Sequence, residues 1–225
     1  MQKQALVIGA SGGIGAAMRQ HLDNDPAYDT VIGLSRRPDR LDITDEASVA
    51  AAAERLHDHV FDLIVVATGV LSPTPSTPEK SFRDVDADGL SRTFANNAFG
   101  VAFIIKHFAP LLAKGRRAVF AALSARVGSI GDNQLGGWVS YRASKAALNQ
   151  IMKCAAIEYG RTRDQAIFAS LHPGTVETAL SQPFARGRFT ATADEAAAKL
   201  RRVLDELSPE QSGGFFAYDG SEIAW

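Results

Sequence analysis

The chain has 225 residues, 46% hydrophobic and 22% charged, with 24 lysines and arginines against 25 aspartates and glutamates. That length suits one well-buried α/β domain and is short for two. A formal net charge of −1 gives nucleic acid or an anionic membrane surface little to attract, so neither is expected as a partner.

The N-terminal residues lead directly into Ala5-Leu-Val-Ile8 with no signal-peptide pattern. This wholly apolar run predicts a strand buried on both faces. Gly9-Ala-Ser-Gly-Gly-Ile-Gly15 follows and opens a helix over Ile14–Asn24. Its glycines allow positive φ and let backbone approach a pyrophosphate, whose charge would sit on helical N–H groups. The spacing is Gly-x-x-x-Gly-x-Gly, not the commoner Gly-x-Gly-x-x-Gly, and a plain strand-to-helix turn is the competing reading. Thr30–Leu34 predicts the second strand. An NAD-specific site would place an acid at its end for the ribose 2′-hydroxyl. This chain has Ser35-Arg36-Arg37 instead, and guanidinium groups suit a 2′-phosphate. NADP(H) is therefore expected over NAD(H), with NAD(H) still possible and solvated arginines as the alternative. Asp42 and Ile43 stand where a loop could flank an adenine. Thr44 or Asp45 could cap the next helix, over Glu46–His57.

Phe61–Val66 predicts a third strand, followed by Ala67-Thr68-Gly69 and a loop over 71–78 with three prolines. A long helix is expected over Phe82–Leu112, carrying Asn96-Asn97. Ala118–Leu123 predicts another strand, with Ser124 at its end and Ser129 just past Gly128. Tyr141 and Lys145 then stand four apart in a helix over Tyr141–Tyr159, so phenol and ammonium share a face. A phenol of reference pKa about 10 is a poor proton donor–acceptor near neutrality. A cation a few ångströms away would favour the phenolate and lower that value. Taken alone, the spacing also fits a solvated surface pair.

The one cysteine, Cys154, has no internal partner, which suits a reducing cytoplasm. Lying in the apolar run Ile151–Ile157, it reads as a buried structural thiol. Ala166–Leu171 predicts a strand ending at His172-Pro173-Gly174, the histidine read as hydrogen-bonded to backbone. A short polar stretch over 178–188, a helix over Asp194–Leu207 and a strand over Gly213–Tyr218 close the chain. Trp138 and Trp225 are candidates for a substrate pocket or for packing. No apolar stretch of 18 uncharged residues predicts a membrane span. No His, Cys and acid cluster has metal-ligand spacing, so no metal is expected.

The alternation of strands and helices predicts an α/β fold, a doubly wound parallel sheet with helices on both faces. With the glycine turn at 9–15 and Tyr-x-x-x-Lys at 141–145, the chain resembles the short-chain dehydrogenase/reductase family over essentially its whole length. Ala67-Thr68-Gly69, Asn96-Asn97 and Pro173-Gly174-Thr-Val176 resemble further family segments, in the family's order. Shorter strings, Gly128–Asn133, Trp138 and the tail from Tyr218, resemble the C-factor and sniffer-type carbonyl reductases.

The resemblance implies a single Rossmann-type domain over 1–225 and a reversible NADP(H)-dependent reduction of an aldehyde or ketone. Tyr141 would be the general acid, and Lys145 would hold the nicotinamide ribose and depress the phenol's pKa. Asn97 would anchor a water linking Lys145 to solvent. A serine would orient the carbonyl: Ser124 is preferred and Ser129 is the alternative, because the segment from Gly128 to Tyr141 is longer than the family's. Cofactor contacts are implied for Gly9, Ser11, Gly13, Ile14, Gly15, Arg36, Arg37, Asp42 and Ile43. They are implied also for Thr68, Gly69, Tyr141, Lys145, Pro173, Gly174 and Val176. A homodimer or homotetramer is implied through helices around Phe94–Leu112 and Ala143–Tyr159, with alanines at 146, 147, 155 and 156 permitting close approach. The C-factor likeness raises one rival: a dinucleotide-binding signalling protein with little turnover.

Overall fold

The computed structural model describes residues 2–72, 77–185 and 187–225; Pro73 and Pro75 of the expected loop lie outside them. The strands are β1 (Lys3–Ile8), β2 (Tyr28–Leu34), β3 (Leu63–Val66), β4 (Ala118–Leu123), β5 (Ala166–His172), β6 (Val176–Glu177), β7 (Ala191–Thr192) and β8 (Gly214–Ala217). The helices are α1 (Gly13–Asp23), α2 (Glu46–Glu54), α3 (Ala87–Phe94), α4 (Gly100–Phe108), α5 (Val139–Gly160) and α6 (Ala193–Glu206). Among the described residues, six strands form one sheet in the order β2-β1-β3-β4-β5-β8, and β6 pairs with β7 alone. All these pairings are parallel.

The apolar strand runs become intelligible from the two cores. Leu6, Ile8, Ile64, Val66, Phe120 and Phe168 join the cluster under α2, α4 and α5. Their neighbours Val7, Val65, Val119 and Ile167 join the opposite cluster, with Met18 and Leu22 of α1 and Leu200 and Val203 of α6. Period-two strands covered on both faces must be apolar at every position. Phe120 and Phe168 stack across β4 and β5 with ring centroids 5.3 Å apart, a contact worth about 0.5–1.5 kcal/mol beyond its buried area. Asp45 caps α2 by accepting from Ala47 N–H at 3.0 Å, which settles its rivalry with Thr44. That helix ends at Glu54, short of His57.

Three expectations are corrected. The long helix over Phe82–Leu112 is broken into a 3₁₀ turn (Phe82–Asp84), α3, a π turn (Ala95–Phe99), α4 and a 3₁₀ turn (Ala109–Leu111). Asp86 starts α3 late by accepting from Gly89 N–H, and Pro110 cannot continue α4 as regular helix. Cys154 is exposed, not buried: it falls with Gln150 on the outer face of α5, and Gln150 Nε2 donates to its sulfur at 3.5 Å. Ala155 and Ala156 of the same run turn inward to the core of their own chain, so they offer no surface for a second subunit.

The path from β1 through α1 reaches β2 on one side, and the path from β2 through α2 reaches β3 on the other. The chain therefore diverges at the carboxyl ends of β1 and β3, where an open α/β sheet leaves a crevice for a ligand.

Candidate active site

Gly9 leaves β1 with φ of +91°, and a Cβ there would stand 2.8 Å from the Ala67 carbonyl oxygen. Only glycine lets the turn lie this close to the exit of β3. Gly12 occupies the N-cap of α1, and no side chain caps that end, so the first helical amides are available to an anion. Two cavities of about 280 and 450 Å³ meet here, both bordered by Gly12, Ala67, Thr68 and Gly69. The outer one runs past Ser11 to Ser35, Arg36 and Ile43. The inner one runs past Gly13 and Ile14 to Ser124, Tyr141, Lys145 and Pro173.

This elongated groove fits a dinucleotide. The Thr68 hydroxyl is buried beside it with no hydrogen-bond partner among the described residues, an orphan that a ligand would satisfy. Uncapped amides stand at its middle and a guanidinium, Arg36, at its outer end. Arg37 is exposed and does not border the groove, and neither does Asp42. The Asp42 carboxylate instead accepts from Thr44 N–H and Oγ1 at 2.9 and 2.7 Å. These bonds, with Arg36 nearby, hold its pKa below the usual value. Gly15 is buried within α1, a packing position and not part of the groove's wall.

The inner end gathers residues from four elements. Asn97 sits in the π turn; its Oδ1 accepts from Val70 N–H at 2.8 Å, and its Nδ2 donates to Val70 O at 2.8 Å and Ser144 Oγ at 3.0 Å. It thereby straps the exit of β3 to α5, and single π turns of this kind recur at functional sites. Lys145 is only 3% exposed, and its Nζ donates to Leu123 O at 2.8 Å. Ser124 Oγ donates to Asn149 Oδ1 at 2.7 Å, and both residues are buried. Tyr141, Lys145 and Asn149 repeat every fourth residue of α5, one inward stripe. That periodicity was legible in the sequence, although Asn149 was missed there.

The expected electrostatics of the pair are corrected. Burial pushes the Tyr141 phenol up to about 12, and burial pushes the Lys145 ammonium down to about 8. Loss of water around the charged form is the cause at both groups, so the phenol is protonated throughout the physiological range.

A third cavity, of about 380 Å³, adjoins the inner groove and shares Ser124, Tyr141 and Pro173 with it. Gly174, Val176, His172 and Arg126 also border it. His172 differs from expectation: its Nδ1 is buried with no partner among the described residues, because β5 ends there and the backbone turns away at Pro173. Burial first, then the nearby Arg126 charge, lowers its pKa to about 4. Ser129 is not in this company; its Oγ accepts from Asp132 N–H at 3.0 Å, and it borders a separate cavity beyond Gly128. Trp138 caps α5 in the left-handed region, φ 51°, and sets its ring edge-on to Tyr141, with centroids 6.4 Å apart. Trp225 lies elsewhere, stacked on Phe215.

Comparison with known proteins bears on the same residues. A family profile described as enoyl-(acyl carrier protein) reductase matches residues 30–222. The 1-hydroxy-2-glutathionyl-2-methyl-3-butene dehydrogenase of Rhodococcus sp. (strain AD45) is 31% identical over 233 residues, covering 98% of each chain. The C-signal of Myxococcus xanthus is 36% identical over 142 residues, 63% of this chain and 82% of that one. Among solved structures, a Burkholderia multivorans protein with bound NADP superposes with a TM-score of 0.85 at 28% identity, over 100% of both chains. The NADPH-bound carbonyl reductase from chicken fatty liver gives 0.84 at 26% identity, over 100% of this chain and 94% of that one.

Proposed function

The chain belongs to the short-chain dehydrogenase/reductase family of NAD(P)-dependent oxidoreductases, and on that premise we propose that it reduces an aldehyde or ketone with NADPH, reversibly. One observation carries this reading: Ser124 and Tyr141 border both the dinucleotide groove and the adjoining cavity. A carbonyl in that cavity meets the phenol at the groove's inner end. The likeness to NADP-bound structures and Arg36 at the outer end favour NADP(H) over NAD(H).

When bound, the nicotinamide supplies the hydride. Tyr141 gives its phenolic proton to the carbonyl oxygen, and a pKa near 12 makes the protonated acid its resting form. Ser124 holds the same oxygen once its O–H swings from Asn149 towards the cavity. Lys145, cationic below about pH 8, holds the ribose and favours negative charge on the phenol oxygen as the proton leaves. Asn97 fixes the β3 exit against α5, keeping the phenol and groove in register.

The likeness to the C-signal supports one rival, a dinucleotide-binding signalling protein with little turnover. Tyr141→Phe separates the two. A reductase loses about 10²–10⁴-fold in turnover with a panel of aldehydes and ketones while keeping its NADPH affinity. Wild-type protein that binds NADPH and turns over no member of the panel would favour the signalling reading.

A further inference from the structure

The adjoining cavity of about 380 Å³ is not neutral around the reacting carbonyl. Arg126 and Arg142 both border it, with Asp132 as the one acid on its wall. The Arg126 guanidinium meets Asp132 only at 3.8 Å, with both side chains about half exposed. A pair so long and so wet contributes little and opens readily for a better partner. Arg142 donates through Nε to the carbonyls of Gly136 and Gly137 at 3.2 and 3.0 Å. Among the described residues, no acceptor takes its terminal nitrogens. These backbone bonds fix the fork without neutralising it. The other titratable side chains on the wall, His172 and Tyr141, are both neutral at physiological pH because of their burial.

Apolar groups complete the wall. Leu135 is 90% exposed and Leu180 is 44% exposed, yet both border this cavity. Large apolar side chains held in water at a cavity's rim suit an apolar ligand body. The wall thus offers proton donors, leucines at its rim and a surplus of guanidinium charge. Arginine forks bind planar carboxylates with paired hydrogen bonds.

We propose that the substrate is a carbonyl compound carrying a carboxylate, its anionic end held by Arg126 and Arg142 while its carbonyl lies at Ser124 and Tyr141. This rests on the reductase reading above and deepens it. An amine-bearing substrate would meet two like charges and be disfavoured.

The test uses the full chain, NADPH and two matched pairs: 4-carboxybenzaldehyde with its methyl ester, and 4-oxobutanoate with its methyl ester. The readout is the ratio of kcat/KM for the acid to that for its ester. The expected ratio is about tenfold or more in favour of the acid for at least one pair, carried mainly by KM and shrinking as salt is raised. Arg126→Gln and Arg142→Gln should each move that ratio towards unity. Arg126 makes no bond that the α5 entry depends on, so its variant remains informative if loss of Arg142 disturbs the fold. A wild-type ratio at or below unity for both pairs, or a ratio unmoved by Arg126→Gln and Arg142→Gln, overturns the proposal while leaving the reductase reading intact. Absence of turnover with all four compounds and with the broader panel overturns the reductase reading itself.

Discussion

In the proposed mechanism the chemistry turns on Ser124, whose hydroxyl points at Asn149, not into the cavity. The buried bond of 2.7 Å holds the serine in place but commits its proton. Ser124→Ala should cost about 10²-fold or more in kcat, as loss of an oxyanion-type donor does. Ser129→Ala should leave kcat close to wild type, since that hydroxyl serves a turn. Steady-state kinetics on both variants checks the assignment; indifference at both positions would mean a different donor. His172 gives a second prediction, in pH. Its ordinary value of 6.5 falls to about 4 in the folded chain, so the unfolded chain takes up a proton across that window and the folded chain does not. The histidine's contribution is fully present above about pH 6.5 and is lost as pH falls towards about 4. His172→Leu should flatten that part of the stability curve, measured by urea denaturation at several pH values. An unchanged slope would mean the ring titrates freely.

At the scale of elements, Gly128 decides how closely the turn after β4 approaches α5. A Cβ there would fall 2.8 Å from Lys145 Cβ and 2.9 Å from its backbone carbon, and neither atom can yield cheaply. Gly128→Ala should destabilise by about 1–3 kcal/mol, as overpacking does, and should lower kcat by shifting Lys145 against Leu123. Denaturation and kinetics together test this; a stable, fully active variant would show that the turn can retreat. Sequence legibility divides along the same line. Strands were legible because cover on both faces forces every position to be apolar. The stripe on α5 was legible because four-residue spacing is helical geometry. The break in the helix over Phe82–Leu112 was not, because no proline or glycine stands at the π turn itself. What marks that turn is Asn97 reaching a backbone 27 residues away. Nor could spacing reveal the upward shift at Tyr141, since desolvation depends on what covers a residue and not on its neighbours in sequence.

For the whole molecule, the two large cores lie on opposite faces of a single sheet. Unfolding followed by far-ultraviolet circular dichroism and by fluorescence should therefore give coincident transitions, as one domain requires; separate midpoints would divide the chain. Large apolar side chains are exposed on two elements that pack together, Phe99 at 52% in the π turn and Ile157 at 54% on α5. We propose that this face, with the half-buried Ala146 and Ala147, joins two subunits. Ile157→Lys should convert a dimer into a monomer in light scattering, while a wild-type monomer would refute the assignment. No helix among the described residues is long and apolar enough to cross a membrane.

The tryptophan that enters α5 in a left-handed conformation has an optical consequence. The chain has two indoles; one lies edge-on to Tyr141, and the other is stacked on Phe215 at the far strand. Replacing Trp225 by Phe leaves a single indole, beside the Tyr141 phenol. Its emission overlaps the absorption of a reduced nicotinamide, so arrival of NADPH would quench it by energy transfer, and ligand entry could be timed without a label.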